Sequence, residues 1–278
     1  MIFSGMIQAV LLGFAFAALI AYVAWRLRAL DAGGAGAATI AGGIIFGFGG
    51  LGPTAALLAF FLTGSVLSSL PEHRPAGPLL LKKELAGGYA RNWKQVLANG
   101  FVPVAAILAY RLFPSRELFL HAFYGSVAAA CADSWGTEIG TRFGTRVRDV
   151  MTGHTLMPGP SGGVSLGGMA ASMGGAAIVM LAAAIPVAQS LSGDPWALAG
   201  IVIAGTLGAV ADSILGSSVQ AKYQVPGSTE ILENPPPAKP GSGPVNLVAG
   251  YTQIKNNSVN FAASAIGAFI MVLLLDFS

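Results

Sequence analysis

Two aspartates stand where a carboxylate is costly. Asp133 and Asp212 each sit in an Ala-Asp-Ser triplet inside a long apolar run, where an ionised carboxylate costs roughly 2.5–3.5 kcal/mol even on the lenient insertion scale. Residues kept at that cost face a cavity or a partner, and two readings follow. In one, the acids hydrogen-bond to hydroxyls and lock helices together. In the other, two acids at equivalent helix ends hold a divalent cation between them. Mg²⁺ suits the second reading, because it takes oxygen ligands, keeps several waters and bridges one or two carboxylates to substrate phosphates. Zinc does not, since His73, His121 and His154 are scattered and the single Cys131 joins none of them. Glu138 is a further candidate metal ligand. It lies five residues from Asp133 and points elsewhere unless the helix unwinds at Gly136.

Other polar segments supply partners for phosphate. The turn 159–163, with Ser161, Gly162 and Gly163 followed by Ser165, reads as the opening of a helix whose backbone N–H groups and dipole favour an anion. Arg142, Arg146, Arg148 and Lys94 are candidates for charge-assisted contacts to phosphate. Arg91, Lys94 and Asn99 form one polar cluster, and Asn256, Asn257 and Asn260 another. Gly208, Asp212, Gly216 and Gln220 fall on one i,i+4 stripe, which predicts a glycine-floored groove leading to the acid. The segment 226–244, rich in Pro, Gly and Ser, reads as a lid or a linker, with the linker favoured.

Lipid must surround the elements that position these residues. Over half of the 278 residues are apolar (54%) and only 10% are charged, too few charges to cover a soluble globule of this size. Eight apolar runs, 7–27, 34–50, 53–70, 95–112, 118–139, 162–188, 196–219 and 258–275, approach the 20 or so residues that cross a bilayer as a helix. The 38 glycines suit helices that pack closely in lipid. The fold expected is an all-α, polytopic transmembrane bundle forming one domain over 1–278, with cytoplasmic loops at 71–94 and 221–257. An N-terminus outside the inner (plasma) membrane places thirteen of the fifteen Lys and Arg on the cytoplasmic side, leaving Arg111 and Arg116 outside. Every polar cluster then lies at that face. This asymmetry explains the net charge of +3 without a nucleic-acid partner. The two Ala-Asp-Ser helix ends, each leading through a polar loop to a helix that starts with small or amide residues, predict a parallel repeat of hairpins formed by helices 5–6 and 7–8.

With these motifs the chain resembles the membrane family that contains transmembrane protein 19 and the phytyl-phosphate kinases of plants and cyanobacteria. The resemblance rests on Arg91 to Gly100, Ala132 to Gly140, Gly162 to Ser165, Asp212-Ser213 with Leu215-Gly216 and Gln220, and Asn256-Asn257 with Val259-Asn260. The family's Gly-Thr-Asn before the paired glycines is replaced here by Gly159-Pro160-Ser161. The resemblance implies phosphoryl transfer from a nucleoside triphosphate, with CTP the donor suggested, to a prenyl monophosphate such as phytyl or polyprenyl phosphate. In that chemistry Asp133 and Asp212 would hold Mg²⁺, the 159–165 turn with Arg146 and Arg148 the nucleotide phosphates, and Lys94 and Asn99 the lipid monophosphate. A lipid cytidylyltransferase uses the same parts. An ion-coupled transporter or lipid-binding protein is the other class, although a transporter site belongs near the bilayer midplane.

Overall fold

The computed structural model describes residues 2–70, 90–113, 117–143, 146–156, 161–185, 194–224, 231–234 and 245–276. Among them are eight long helices: α1 (Ile2–Arg26), α2 (Ala32–Ile44), α3 (Leu51–Ser69), α4 (Trp93–Leu112), α5 (Leu118–Phe143), α6 (Leu166–Ala183), α7 (Pro195–Ser218) and α8 (Asn256–Asp276). A π-helical turn, Ile45–Gly49, extends α2. Several helices begin where the sequence supplies a cap. Asp31 accepts from the Gly34 N–H at 2.6 Å, and Asp194 caps α7 just before Pro195. Asn92 and Gln95 close a capping box on α4. Each such cap is worth about 1 kcal/mol.

Seven helices, the extended α2 included, are long and apolar enough to cross a membrane. The exception, α5, is the hub of the bundle and packs against α3, α4, α6, α7 and α8. Because protein rather than lipid surrounds it, α5 tolerates Asp133, Glu138 and Arg142. Its middle, Phe123 to Ala132, is buried throughout. Close approach there depends on glycine. A Cβ on Gly125 would run into the Gly267 carbonyl oxygen of α8, and one on Gly208 of α7 would meet Ala129.

The hairpin repeat is present, and its connecting loops hold strands that the sequence does not announce. Between α5 and α6 lie β1 (Val147–Asp149), β2 (Thr155–Leu156) and β3 (Gly163–Val164), in the order β2-β1-β3. Between α7 and α8 lie β4 (Lys222–Gln224), β5 (Ile231–Leu232) and β6 (Asn246–Ala249), in the order β5-β4-β6. In both antiparallel sheets the first strand is central, Arg148 facing Thr155 and Val164, and Tyr223 facing Leu232 and Leu247. Contacts of Ala128 with Gly205 and of Ala129 with Gly208 run α5 and α7 in the same direction.

Two expectations are corrected here. Gly163 and Val164 pair with β1, so the helix begins at Leu166, capped by Ser165, and not at the 159–163 turn. Gly162, at φ +92°, takes the left-handed conformation that lets the chain enter β3 against Ser217. The expected linker contains β5, whose pairing with β4 fixes residues 231–232 over the bundle. Residues 226–230 and 235–244, Gly159, Pro160, and the loop 71–89 with its basic residues lie outside the described residues.

Candidate active site

One end of the bundle holds both sheets. The antiparallel course brings the starts of α4, α6 and α8 to the same end as the closing turns of α5 and α7, and there they surround a cavity of about 630 Å³. Asp133 and Asp212 both line it. Asp133 is half-buried, with Thr137 beside it one turn on. Asp212 is only 8% exposed, and among the described residues its Oδ1 has no hydrogen-bond partner. The carboxylates are near enough for their charges to act on one another, and Glu233 acts on both.

Glu233 has no counterpart among the residues singled out from the sequence. It follows β5, lines the cavity, and accepts hydrogen bonds from the Ser161 N–H at 2.9 Å and the Ser161 hydroxyl at 2.6 Å. The Gln220 amide donates to the same hydroxyl at 3.1 Å. Ser161 therefore clasps the loop of the first hairpin to that of the second. Gln220 is wholly buried and holds this clasp instead of lining the cavity. The glycine stripe below it is packing, not a groove: a Cβ on Gly216 would meet Ser161, as one on Gly208 would meet Ala129. A second tie between the hairpins runs from the Ser217 hydroxyl to Asp149 Oδ2 at 2.7 Å. Burial opposes the charge on Asp149, but bonds from Ser217, Thr152 and Met151 outweigh it and hold the carboxyl below its usual range.

Glu138 also lines the cavity, and α5 stays helical through Gly136. Its carboxylate is engaged, accepting from Ser68 at 2.8 Å and pairing with Arg142 at 2.7 Å. Arg142 is buried, donating also to the Glu138 and Leu70 carbonyls, so it locks α5 to the end of α3 instead of meeting phosphate. Arg91 threads beside α3, stacked over Phe60 at 5.7 Å, while its backbone bonds to Ala29 and Asp31. Lys94 is exposed over Trp93. Both line the cavity, as do Lys255, absent from the sequence-based set, and Asn99, Gly162, Gly163, Ser165, Asn256, Asn257 and Asn260. Arg146 and Arg148 are exposed on and before β1 and do not line it.

A comparison with known proteins spans nearly the whole chain. The family model for the integral membrane protein DUF92 matches residues 3–268. The chain belongs to that family. This DUF92 chain is 27% identical over 272 residues to Protein PGR of Arabidopsis thaliana, covering 91% of each chain. It is 29% identical over 217 residues to the uncharacterized membrane protein MJ0933 of Methanocaldococcus jannaschii, covering 78% of this chain and 82% of that one. No solved structure matches.

Among the described residues no three His, Cys, Asp or Glu side chains are grouped tightly enough to hold a metal by themselves. Two carboxylates completed by substrate phosphates and water are the ordinary surroundings of Mg²⁺. The orphaned, buried Asp212 Oδ1 beside Asp133 fits that arrangement.

Proposed function

We propose that this DUF92 protein transfers a phosphoryl group from a nucleoside triphosphate, CTP by its resemblance to the phytyl-phosphate kinases, to a prenyl monophosphate. The observation that carries the reading is Asp212, a carboxylate only 8% exposed whose Oδ1 has no partner among the described residues, beside Asp133 in a cavity that also gathers Arg91, Lys94 and Lys255. Phosphoryl transfer asks a protein chiefly for positioning and charge neutralisation. An oxygen of the lipid monophosphate forms a bond to the γ-phosphorus, the bond to the β–γ bridging oxygen breaks, and the nucleoside diphosphate leaves. No general base is needed, since the monophosphate is already an anion near neutral pH. Asp133 and Asp212 would hold Mg²⁺, which when bound neutralises charge on the transferring group. Arg91, Lys94 and Lys255 balance the remaining phosphate charge. The prenyl tail extends from this end of the bundle between the helices, contributing about 0.8 kcal/mol per buried methylene.

The sheet end faces the cytoplasm in this reading. Arg26, Arg28, Arg91, Lys94, Arg142, Arg146, Arg148, Lys222 and Lys255 lie at that end and Arg111 at the other, the bias expected of a cytoplasmic face. A cysteine replacing Arg146 is expected to react with an impermeant label only from the cytoplasmic side, and labelling from outside overturns the orientation. The site itself is tested by thermal denaturation of the purified protein. A nucleoside triphosphate at about 100 times its dissociation constant adds about 2.7 kcal/mol of stability, and that protection is expected with Mg²⁺ and not without it. A melting curve that no triphosphate shifts, together with ion-driven uptake in proteoliposomes, replaces the kinase with a transporter.

A further inference from the structure

The chain has seven asparagines, and six of them line this one cavity. The seventh, Asn246, is exposed on β6. Asn92 is spent on the capping box of α4, and Asn234 is exposed beyond β5. The remaining four, Asn99 on α4 and Asn256, Asn257 and Asn260 on α8, are half-buried. Among the described residues their side chains make no hydrogen bond. Asn256 and Asn260 stand one turn apart, and Asn257 and Asn260 three residues apart, so they share a helix face. Helices α4 and α8 pack together, and Phe101 meets Phe261 at 5.8 Å just beyond the amides. The acids rise from different helices, α5 and α7.

The amides differ in chemistry from the acids and from Lys94 and Lys255, which stand next to them on α4 and before α8. A phosphate oxygen only accepts, so it is matched by cations, N–H donors and a metal, and the site already supplies Arg91, Lys94, Lys255 and two carboxylates suited to a metal. An amide offers a donor and an acceptor side by side. That pair matches a ligand edge that carries both, as a nucleobase edge does and as ribose hydroxyls do. A prenyl chain has no polar atom to offer. Of the three components of the proposed reaction, the nucleoside is the one an amide wall recognises.

We infer that Asn99, Asn256, Asn257 and Asn260 form the nucleoside pocket, reading the base edge and ribose while the acids and cations take the phosphates. This rests on the nucleotide-dependent reading above and adds to it the source of nucleotide selectivity. A pocket built of paired donors and acceptors discriminates strongly, because the wrong base leaves its polar groups unmatched.

The test is titration calorimetry on the full-length protein with Mg²⁺, comparing nucleoside triphosphates of the four common bases with inorganic tripolyphosphate. Wild type is expected to bind one triphosphate about tenfold or more tighter than tripolyphosphate, the worth of one or two net hydrogen bonds. Asn260→Ala and Asn99→Ala are each expected to bring that ratio down towards one while tripolyphosphate affinity stays within about twofold. Asn246→Ala, outside the cavity, leaves the ratio unchanged. Tripolyphosphate binding also reports that each variant is folded, and Asn257→Ser replaces any variant that binds neither ligand. Equal loss of both ligands, or a wild type that binds tripolyphosphate as well as every nucleotide, overturns the nucleoside pocket and leaves the kinase reading standing. A wild type that binds neither overturns both.

Discussion

The hairpins α5–α6 and α7–α8 follow the same course, from an Ala-Asp-Ser turn through a three-stranded sheet with its first strand central to a returning helix. They differ in how their acidic groups are satisfied. On α5, Asp133 has Thr137 beside it, and Glu138 is tied to Arg142 and Ser68. On α7, Asp212 is buried with an oxygen that has no partner among the described residues. Repetition of the chain path brings the two aspartates to one cavity, while around them one hairpin braces its glutamate with an ion pair and the other buries an aspartate oxygen that has no partner among the described residues. An orphaned buried carboxylate is destabilising when the protein is alone.

Neutralising the two acids separately gives the largest expected effect. Asp133→Asn and Asp212→Asn are each expected to lower turnover by about a thousandfold, ~4 kcal/mol, in protein of normal helix content. Their stabilities should part company. Asp212→Asn removes an unpartnered charge and is expected to raise the apparent melting temperature in detergent by about 2–4 °C for each kcal/mol relieved, while Asp133→Asn leaves it nearly unchanged. Near-normal turnover in both variants leaves the acids with a purely structural role, and equal melting shifts erase the difference between the hairpins.

A smaller effect is expected where the hairpins are tied. Asp149 is held below the usual carboxylate range, so its contribution is complete above the ordinary value near 3.9 and is lost as pH falls through the lower folded value. Asp149→Asn is expected to cost about 1–2 kcal/mol near neutral pH. The gap from wild type in melting temperature stays constant above about pH 5 and closes as the pH falls below about 4. A gap that widens on acidification contradicts this sign.

Most of the helical frame is legible in the sequence, because lipid demands long apolar runs and the caps Asp31, Asn92 and Asp194 stand at helix starts. Asp133 and Asp212 are legible for the opposite reason, as costly charges in apolar surroundings. The short strands are not. Two-residue strands such as Thr155–Leu156 and Ile231–Leu232 carry no alternation to read, and their pairing depends on contacts distant in sequence. Glu233 is hidden for the same reason, since only β5 pairing with β4 brings a residue just before a proline run to the acids. Arg142 and Arg148 read as phosphate ligands from charge and topology, yet burial commits one to Glu138 and the strand turns the other outward.

The reaction proposed for the cavity around Asp212 transfers a phosphoryl group to a lipid. The direct measurement incubates purified protein with Mg²⁺, a prenyl monophosphate and a nucleoside triphosphate labelled at the γ-phosphate, then identifies the lipid product by mass. Label is expected in a prenyl diphosphate with wild type and is expected to be lost with Asp212→Asn. A lipid product carrying the nucleoside, or no labelled lipid with any nucleotide, contradicts the account.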